Sequence, residues 1–359
     1  MAQMTPELGA RNLLVNCARA TDGDRLLIAF EPSKYGYYDD RTVEVVAEAA
    51  SALGLHVDTV NVGFNASNPH LAPDLLLRFE AADIILFLAR LGDQLRFSGM
   101  PAGKTIVVSF AVAEKLLGSG FGNADHRGFE AIKSAVNGMF KAGAEVHFTC
   151  PLGTEVRGTM SAPLATEVDT TILRFPMSMF TPVPAATFSG RAAFTFLTGS
   201  GSRYYDNYTV EFDGPVFALL QDGVLTGFDG ADGDVAKANA HYDRVAARFG
   251  IDRNFVHSWH AGIHPGCDYP WPMQDNYERW GGVSFGNPRI LHFHSCGAYA
   301  PGEISWNIID PTVTINGVNI WENGTLHADR ILGGSEILAA YPDVAELFAN
   351  PVRNIGIGD

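Results

Sequence analysis

The chain has 359 residues, of which 47% are hydrophobic and 18% charged, and its formal net charge is −15. This composition is typical of a folded globular protein, and the acidic charge argues against nucleic acid or an anionic membrane surface as a partner. The four cysteines contain no CxxC pair, and no apolar run is long enough to span a bilayer. We therefore expect a soluble, cytoplasmic protein with reduced thiols.

Up to residue 150, strand patterns alternate with helical patterns. The strand patterns cover residues 25–32, 56–62, 83–89, 105–111 and 144–150. The helical patterns cover residues 5–20, 41–53, 75–82 and 126–143. Such alternation is typical of a parallel sheet with crossover helices. The sequence therefore predicts a parallel α/β domain over residues 1–150.

The pattern changes after Cys150, where short β segments and glycine turns replace the alternation. A helix is predicted over residues 231–250, with Asp234 as its N-cap, and a hairpin with an Asn-Gly turn over residues 311–326. Residues 151–359 are therefore predicted to form a β-rich α+β domain, and we expect this domain to carry the active site.

Five of the 11 histidines lie between residues 257 and 294, and imidazole is the commonest metal ligand and a proton carrier near neutral pH. Side chains alternate along a strand, so the HFH segment places His292 and His294 on one face. If residues 257–264 are extended, Ser258 and His260 also share a face. Imidazoles from neighbouring strands suit a mononuclear iron, zinc, copper or nickel site. The alternatives are histidines that only form hydrogen bonds in the core, or metal-free acid–base chemistry.

The order of several segments resembles that of the aminopeptidase T-like (M29) metallopeptidase superfamily, including its relatives the 2,5-dihydroxypyridine 5,6-dioxygenases. The segments are GDRLLIAF and GLHVDTVNV near the start, GTE at 153–155, MFTPVPAATFSGRAAF at 179–194, WHAGIHPG at 259–266, ERWGG at 278–282, HFHSCGAY at 292–299 and SWNIID at 305–310. The resemblance covers most of the chain, and it implies the fold of that family and a homodimer.

The peptidases of this superfamily hold two metal ions with two glutamates, two histidines and an aspartate. The glutamate positions fall here on Ser178 and Ser258, and the closing His-x-Asp pair has become Ser305-x-Asn307. Of these ligands only His292 is retained. Two metal ions need several carboxylates to neutralise their charge, so we do not expect an active aminopeptidase.

The dioxygenase relatives replace the second glutamate with a histidine, which His257 or His260 would match. They also carry a serine in a segment that HSCG resembles, with Ser295 in the place of that serine. The tyrosine of the superfamily is matched by Tyr299. The closing His-x-Asp pair, which that branch also uses, is missing here.

We therefore predict a catabolic enzyme that opens a hydroxylated or amino-substituted aromatic or heteroaromatic ring, dioxygenase-like and dependent on Fe(II). The predicted metal ligands are His260, His292 and His294. The further predicted catalytic residues, which would act on the substrate or as an acid–base group, are His257, His260, Ser295, Tyr299 and Asn307. One alternative is a hydrolase or lyase that uses zinc or no metal, and another is a binding paralogue without catalysis. For Cys296 we expect packing, and for Glu278 either a histidine partner or a salt bridge.

Overall fold

The computed structural model describes residues 3–66, 69–96, 100–164, 172–199, 209–297 and 302–358. Its strands are β1 (Arg25–Phe30), β2 (His56–Asn61), β3 (Ile84–Leu88), β4 (Thr105–Ser109), β5 (Glu145–Thr149), β6 (Glu155–Thr159), β7 (Leu173–Phe175), β8 (Val183–Pro184), β9 (Phe188–Gly199), β10 (Val210–Gln221), β11 (Val224–Asp229), β12 (Val256–Ala261), β13 (Ile290–Ser295), β14 (Ile304–Ile309), β15 (Thr312–Ile315), β16 (Val318–Glu322) and β17 (Thr325–Leu326).

The helices surround two separate sheets. They are α1 (Pro6–Arg11), which continues into a π-helical turn at Asn12–Cys17, α2 (Asp40–Ala52), α3 (Pro73–Ala81), α4 (Arg90–Gln94), α5 (Glu114–Leu117), α6 (Gly120–Asn123), α7 (His126–Asn137), α8 (Asp232–Phe249), α9 (Tyr277–Ser284), α10 (Gly334–Ala340) and α11 (Pro342–Ala349). Short 3-10 turns lie at Ser33–Tyr35, Met273–Asp275 and Ala328–Arg330. Within the described part of the chain, every helix is too short or too polar to cross a membrane.

The smaller sheet is parallel and has the strand order β2-β1-β3-β4-β7. All five residues of β3 are buried, as expected for a central parallel strand that is covered on both faces. Ile84 and Leu86 pack into one apolar cluster, and Ile85 and Phe87 pack into another on the opposite face. The alternation of strands and helices in the sequence therefore predicted this sheet correctly in its first four strands.

The predicted fifth parallel strand is wrong. The segment 144–150 forms β5, which pairs antiparallel with β6 and β15 in the larger sheet. In β5 only Val146 and Phe148 are fully buried, and the residues between them are more exposed, which is the pattern of a strand with one face toward solvent. The fifth place in the parallel sheet belongs to β7, which pairs with β4 although it lies in the region predicted to be antiparallel.

The larger sheet is antiparallel, with the order β17-β16-β15-β5-β6-β9-β14-β13-β12-β8. Strands β10 and β11 extend it beside β9. The predicted hairpin is confirmed as β15 and β16, joined at Asn316 and Gly317 with φ values of 50° and 81°. Two positive φ values are the mark of the type I′ turn that Asn-Gly favours.

The predicted helix over residues 231–250 is confirmed as α8, but its N-cap is Ala231 and not Asp234. Asp234 lies within the first turn and is buried, and its carboxylate accepts hydrogen bonds from the backbone N–H groups of Asp213 and Gly214 at 3.1 Å. A carboxylate in this turn still interacts favourably with the positive end of the helix dipole. Asp234 therefore fixes α8 against β10.

Strands β12, β13 and β14 have two chemically different faces. Trp259, Phe293 and Trp306 are fully buried on one face, where they join the main apolar core. Because side chains alternate along each strand, the residues between them point to the other face. That second face carries histidine, serine and asparagine side chains, and it contains the candidate site.

Candidate metal centre

Three predicted metal ligands meet on the polar face of β12 and β13. His260 on β12 lies opposite His292 on β13, and His294 follows two residues later on the same face. The Nε2 atom of His260 is 2.8 Å from that of His292 and 3.0 Å from that of His294. The potential ligand atoms of the three residues all lie within 4.8 Å of one another, and all three side chains are buried. The geometry brings together the three histidines that the sequence singled out.

The outer nitrogens of two of these rings are fixed by oxygen acceptors. The Nδ1 atom of His260 lies 3.0 Å from the backbone carbonyl oxygen of Phe180. A carbonyl oxygen only accepts, so Nδ1 carries the proton and Nε2 keeps its lone pair. The Nδ1 atom of His294 is hydrogen-bonded to the carboxylate of Glu303, which favours the same tautomer. Such outer contacts are typical of histidines that bind a metal through Nε2.

Burial disfavours protonation of two of the three rings, those of His260 and His292. Burial, together with the nearby His294, holds the pKa of His260 well below its ordinary value. Burial and then the neighbouring His260 and His294 do the same for His292. In the neutral tautomers that Phe180 and Glu303 favour, the Nε2 lone pairs of His260 and His294 face each other at 3.0 Å. Such an arrangement needs a shared proton or a cation, and a metal ion bound to three neutral imidazoles satisfies it.

Glu303 is a site residue that sequence reasoning missed. It is 5% exposed and directly precedes β14, the strand beside β13. The register pairs Ser295 with Ile304, so Glu303 reaches the rim of the histidine cluster. A carboxylate at the start of the strand after an HxH segment was the available signal, but its value depended on knowing that the two strands pair.

A polar strip continues from the histidines onto β14 and β9. In register, Asn307 lies opposite His292, Ser305 lies opposite His294, and Thr198 of β9 lies opposite Ser305. Directly paired residues of antiparallel strands point to the same face. The predicted site residue Asn307 is therefore brought to the cluster, and its Nδ2 donates to Thr198 Oγ1 at 3.2 Å.

Ser295 is not brought to the cluster. It alternates with His294 and points to the opposite face, where it is fully buried. Its hydroxyl donates to the backbone oxygen of Ile304 at 2.9 Å and lies 2.5 Å from the hydroxyl of Tyr242. The expected substrate-orienting role of Ser295 therefore has no support in its position. Tyr299, the other residue of that prediction, lies outside the described residues.

His257 lies at the rim of the site and does not join the three converging rings. Its Nδ1 atom is 2.8 Å from the hydroxyl of Ser258, which shares the polar face with His260. Burial and then the charge of His294 lower the pKa of His257, and Glu303 opposes this effect. The half-buried ring is thus close enough to the centre to interact electrostatically with it.

The remaining candidates have structural partners elsewhere. His264 stacks on Phe129, with ring centroids 3.7 Å apart, and belongs to the core. Glu278 forms a salt bridge with Arg90 and does not contact the histidines. Burial raises the pKa of the Cys296 thiol to about 12, which favours the expected packing role over that of a nucleophile.

No family model and no curated protein sequence matches this chain. Among solved structures, the chain is similar to 2,5-dihydroxypyridine dioxygenase from Pseudomonas putida KT2440, with a TM-score of 0.59 and 13% sequence identity over 90% of this chain and 96% of that chain. AmpT from Thermus thermophilus also matches, with a TM-score of 0.49 and 13% identity over 89% of this chain and 98% of that chain. At this level of identity the similarity shows the fold alone. The expected fold class, a parallel α/β part and a β-rich part, is confirmed, and the chain shares its fold with the dioxygenase.

Proposed function

We propose that the protein is a mononuclear metal-dependent enzyme that opens a small hydroxylated or amino-substituted aromatic ring in a dioxygenase-like reaction. The observation that carries this proposal is the convergence of three buried Nε2 atoms, two of them fixed in the metal-binding tautomer. The similarity of the fold to a 2,5-dihydroxypyridine dioxygenase supports the choice of reaction by analogy.

In this proposal His260, His292 and His294 hold the metal ion through Nε2. Ferrous iron, which imidazole ligands suit, would when bound hold dioxygen beside the electron-rich ring, and the ring would supply the electrons that reduce dioxygen. His257 would take up or release a proton at the rim, and its contact with the hydroxyl of Ser258 supports this role. The apolar ring of Phe285, stacked on His292 with centroids 4.1 Å apart, restricts water on one side.

A zinc-dependent hydrolase or lyase is the second candidate. The observation that favours it is the ligand set itself, because three neutral imidazoles with an open position are also a catalytic zinc site. The two candidates differ in their need for dioxygen. They share the ligands, so both predict the same loss of metal in histidine variants.

Peptidase activity with two metal ions is not part of the proposal. The four positions that the resemblance assigns to other ligands carry Ser178, Ser258, Ser305 and Asn307, none of which supplies a negative charge. Among the described residues, the group able to hold a metal consists of three histidines and contains no bridging carboxylate. A pair of divalent ions would thus lack neutralising ligands.

The test is metal analysis of the purified protein, followed by anaerobic reconstitution with Fe(II) and measurement of oxygen uptake with a panel of dihydroxylated and aminohydroxylated rings. We expect one metal ion per chain and oxygen uptake that a chelator abolishes. His292→Ala and His294→Ala should each lose the metal, whereas His147→Ala on β5 should retain it. A wild-type protein that takes up neither Fe(II) nor Zn(II) would disprove the proposal, and turnover without oxygen uptake would select the zinc alternative.

A further inference from the structure

Three polar atoms on the strip beside the histidines lack partners. They are Nδ1 of His292, Oγ of Ser305 and Oδ1 of Asn307, each buried and without a hydrogen-bond partner among the residues that the structure describes. All three belong to neighbouring positions of β13 and β14, because His292 is paired with Asn307 and His294 with Ser305. The three atoms therefore belong to neighbouring residues on the strand face that also carries the converging histidines.

Each atom of the patch has a defined hydrogen-bonding capacity. The amide nitrogen of Asn307 already donates to Thr198, so Oδ1 remains as an acceptor. His292 turns its Nε2 toward His260, so in the metal-binding tautomer its Nδ1 carries a proton and donates. The hydroxyl of Ser305 both donates and accepts. Together these atoms are complementary to a group that both donates and accepts a hydrogen bond, as a hydroxyl does.

Leaving a buried polar group unpaired costs about 1–3 kcal/mol. A structural protein core would avoid this cost by placing apolar residues at the two β14 positions, as it does at the adjacent Trp306 and Ile308, both fully buried. Ser305 and Asn307 instead stand beside the metal-binding rings, and His294, the most exposed of these rings at 8%, is the direct neighbour of Ser305. This placement indicates that a bound substrate supplies the missing hydrogen-bond partners of Ser305 and Asn307.

We propose that Ser305 and Asn307 are specificity-determining residues that bind a hydroxyl or amino substituent of the substrate, with Asn307 Oδ1 as the acceptor of its hydrogen. The proposal rests on the proposed function, and it adds that the substrate carries a hydrogen-bond donor on the β14 side of the metal. A substituent that only accepts, such as an ether or a carboxylate, would leave Asn307 Oδ1 unpaired and is selected against.

The first test uses 4-nitrocatechol, a coloured dihydroxylated ring, and titrates it into the protein loaded with Fe(II) or Zn(II). Asn307→Leu and Ser305→Ala should each weaken binding about tenfold, because each removes one partner of the hydroxyl, while the metal content stays that of the wild type. The control is Thr314→Val on β15, which removes a hydroxyl from the same sheet away from the strip. Unchanged affinity in both strip variants, or no binding by the loaded wild type, overturns the proposal.

The second test is independent of any substrate. In the metal-free protein Ser305→Ala should raise the melting temperature, because it removes an unpaired buried hydroxyl, whereas Thr314→Val should lower it. A lower melting temperature for Ser305→Ala would show that the hydroxyl is already satisfied, for example by a structural water, and would contradict the proposal. Failure of the proposed function is seen separately, as absence of metal in the wild type.

Discussion

At the scale of single residues, the carboxylate of Glu303 decides which nitrogen of His294 can act as a ligand. The shared face of His292 and His294 was predictable, because an HxH segment on a strand fixes the face of its two rings locally. The role of the three converging histidines as metal ligands stays a prediction. The sequence did not predict Glu303, and the substrate-orienting role expected for Ser295 has no support in the position of this residue, which points away from His294. The contact of Glu303 with His294 depends on which strands are neighbours, and that information is not local. The same limit applies to Ser305, whose relation to His294 exists only through the pairing of β13 with β14.

Glu303→Gln should weaken metal binding about tenfold without unfolding the protein. Glutamine still accepts the hydrogen bond from His294 Nδ1, so the tautomer is kept and only the negative charge is removed. Glu303→Ala should cost more, because the ring then loses its orientation as well. Competition of the protein with a chromophoric chelator for Co(II) measures both effects, and the Co(II) absorption spectrum reports the ligand geometry.

Glu322→Gln is the matched control, because this carboxylate at the end of β16 pairs with Arg330 and not with a histidine of the site. Its metal affinity should equal that of the wild type. Equal affinities for Glu303→Gln, Glu303→Ala and the wild type would remove Glu303 from the metal centre and leave it a purely structural role.

At the scale of the element, β13 divides two tasks between its alternating positions. Its even-numbered histidines face the polar strip, and Phe293 between them is fully buried against Trp306 at a ring-centroid distance of 5.2 Å. The periodicity of the sequence was sufficient for this assignment. It was not sufficient for β5 and β7, whose places in the two sheets are exchanged relative to the prediction, because membership of a sheet is set by long-range pairing.

Phe293→Ala should lower the free energy of unfolding of the metal-free protein by about 3–5 kcal/mol, because it leaves a cavity in a packed core. His292→Leu should abolish metal binding yet keep the stability of the metal-free protein near that of the wild type, because leucine fills the space beside Phe285 and removes an unpaired Nδ1. Urea unfolding of both variants, with metal analysis, checks this separation. If the two variants are equally destabilised, the two faces of β13 are not functionally distinct. Phe293→Leu provides a milder core change should the alanine variant not fold.

At the scale of the whole molecule, the fold class was predictable from the sequence. The sheet to which each strand belongs was harder to predict. The order of strand and helix patterns indicated a parallel α/β part and a β-rich part, and both sheets are present. The chain crosses between them more than once, since β5 enters the larger sheet before residue 150 and β7 returns to the smaller one after it. The homodimer implied by the resemblance stays a prediction, and light scattering of the purified protein checks it.

Two ion pairs tie the same two parallel strands at opposite ends, and they should differ strongly in their effect on stability. At the amino ends of β1 and β3, Arg25 pairs with Asp83 at 3.0 Å, and the two side chains are 55% and 43% exposed. At the carboxyl ends, Arg90 pairs with Glu31 through Nε at 3.0 Å, and the two side chains are 4% and 0% exposed. Arg90 also contacts Glu278 of α9, so it connects this end of the sheet to a helix from the second half of the chain.

Arg90→Met should lower the free energy of unfolding by about 3–5 kcal/mol, because it leaves the carboxylate of Glu31 buried without its partner. Arg25→Met should have little effect, since water screens an exposed pair. Adding Glu31→Gln to Arg90→Met should recover a large part of the loss, because the unpaired charge is then removed together with its partner. Urea unfolding of the wild type, Arg25→Met, Arg90→Met, Glu31→Gln and the double variant measures this. A double variant that loses as much as the sum of Arg90→Met and Glu31→Gln would show that burial of an unpaired charge is not the cause.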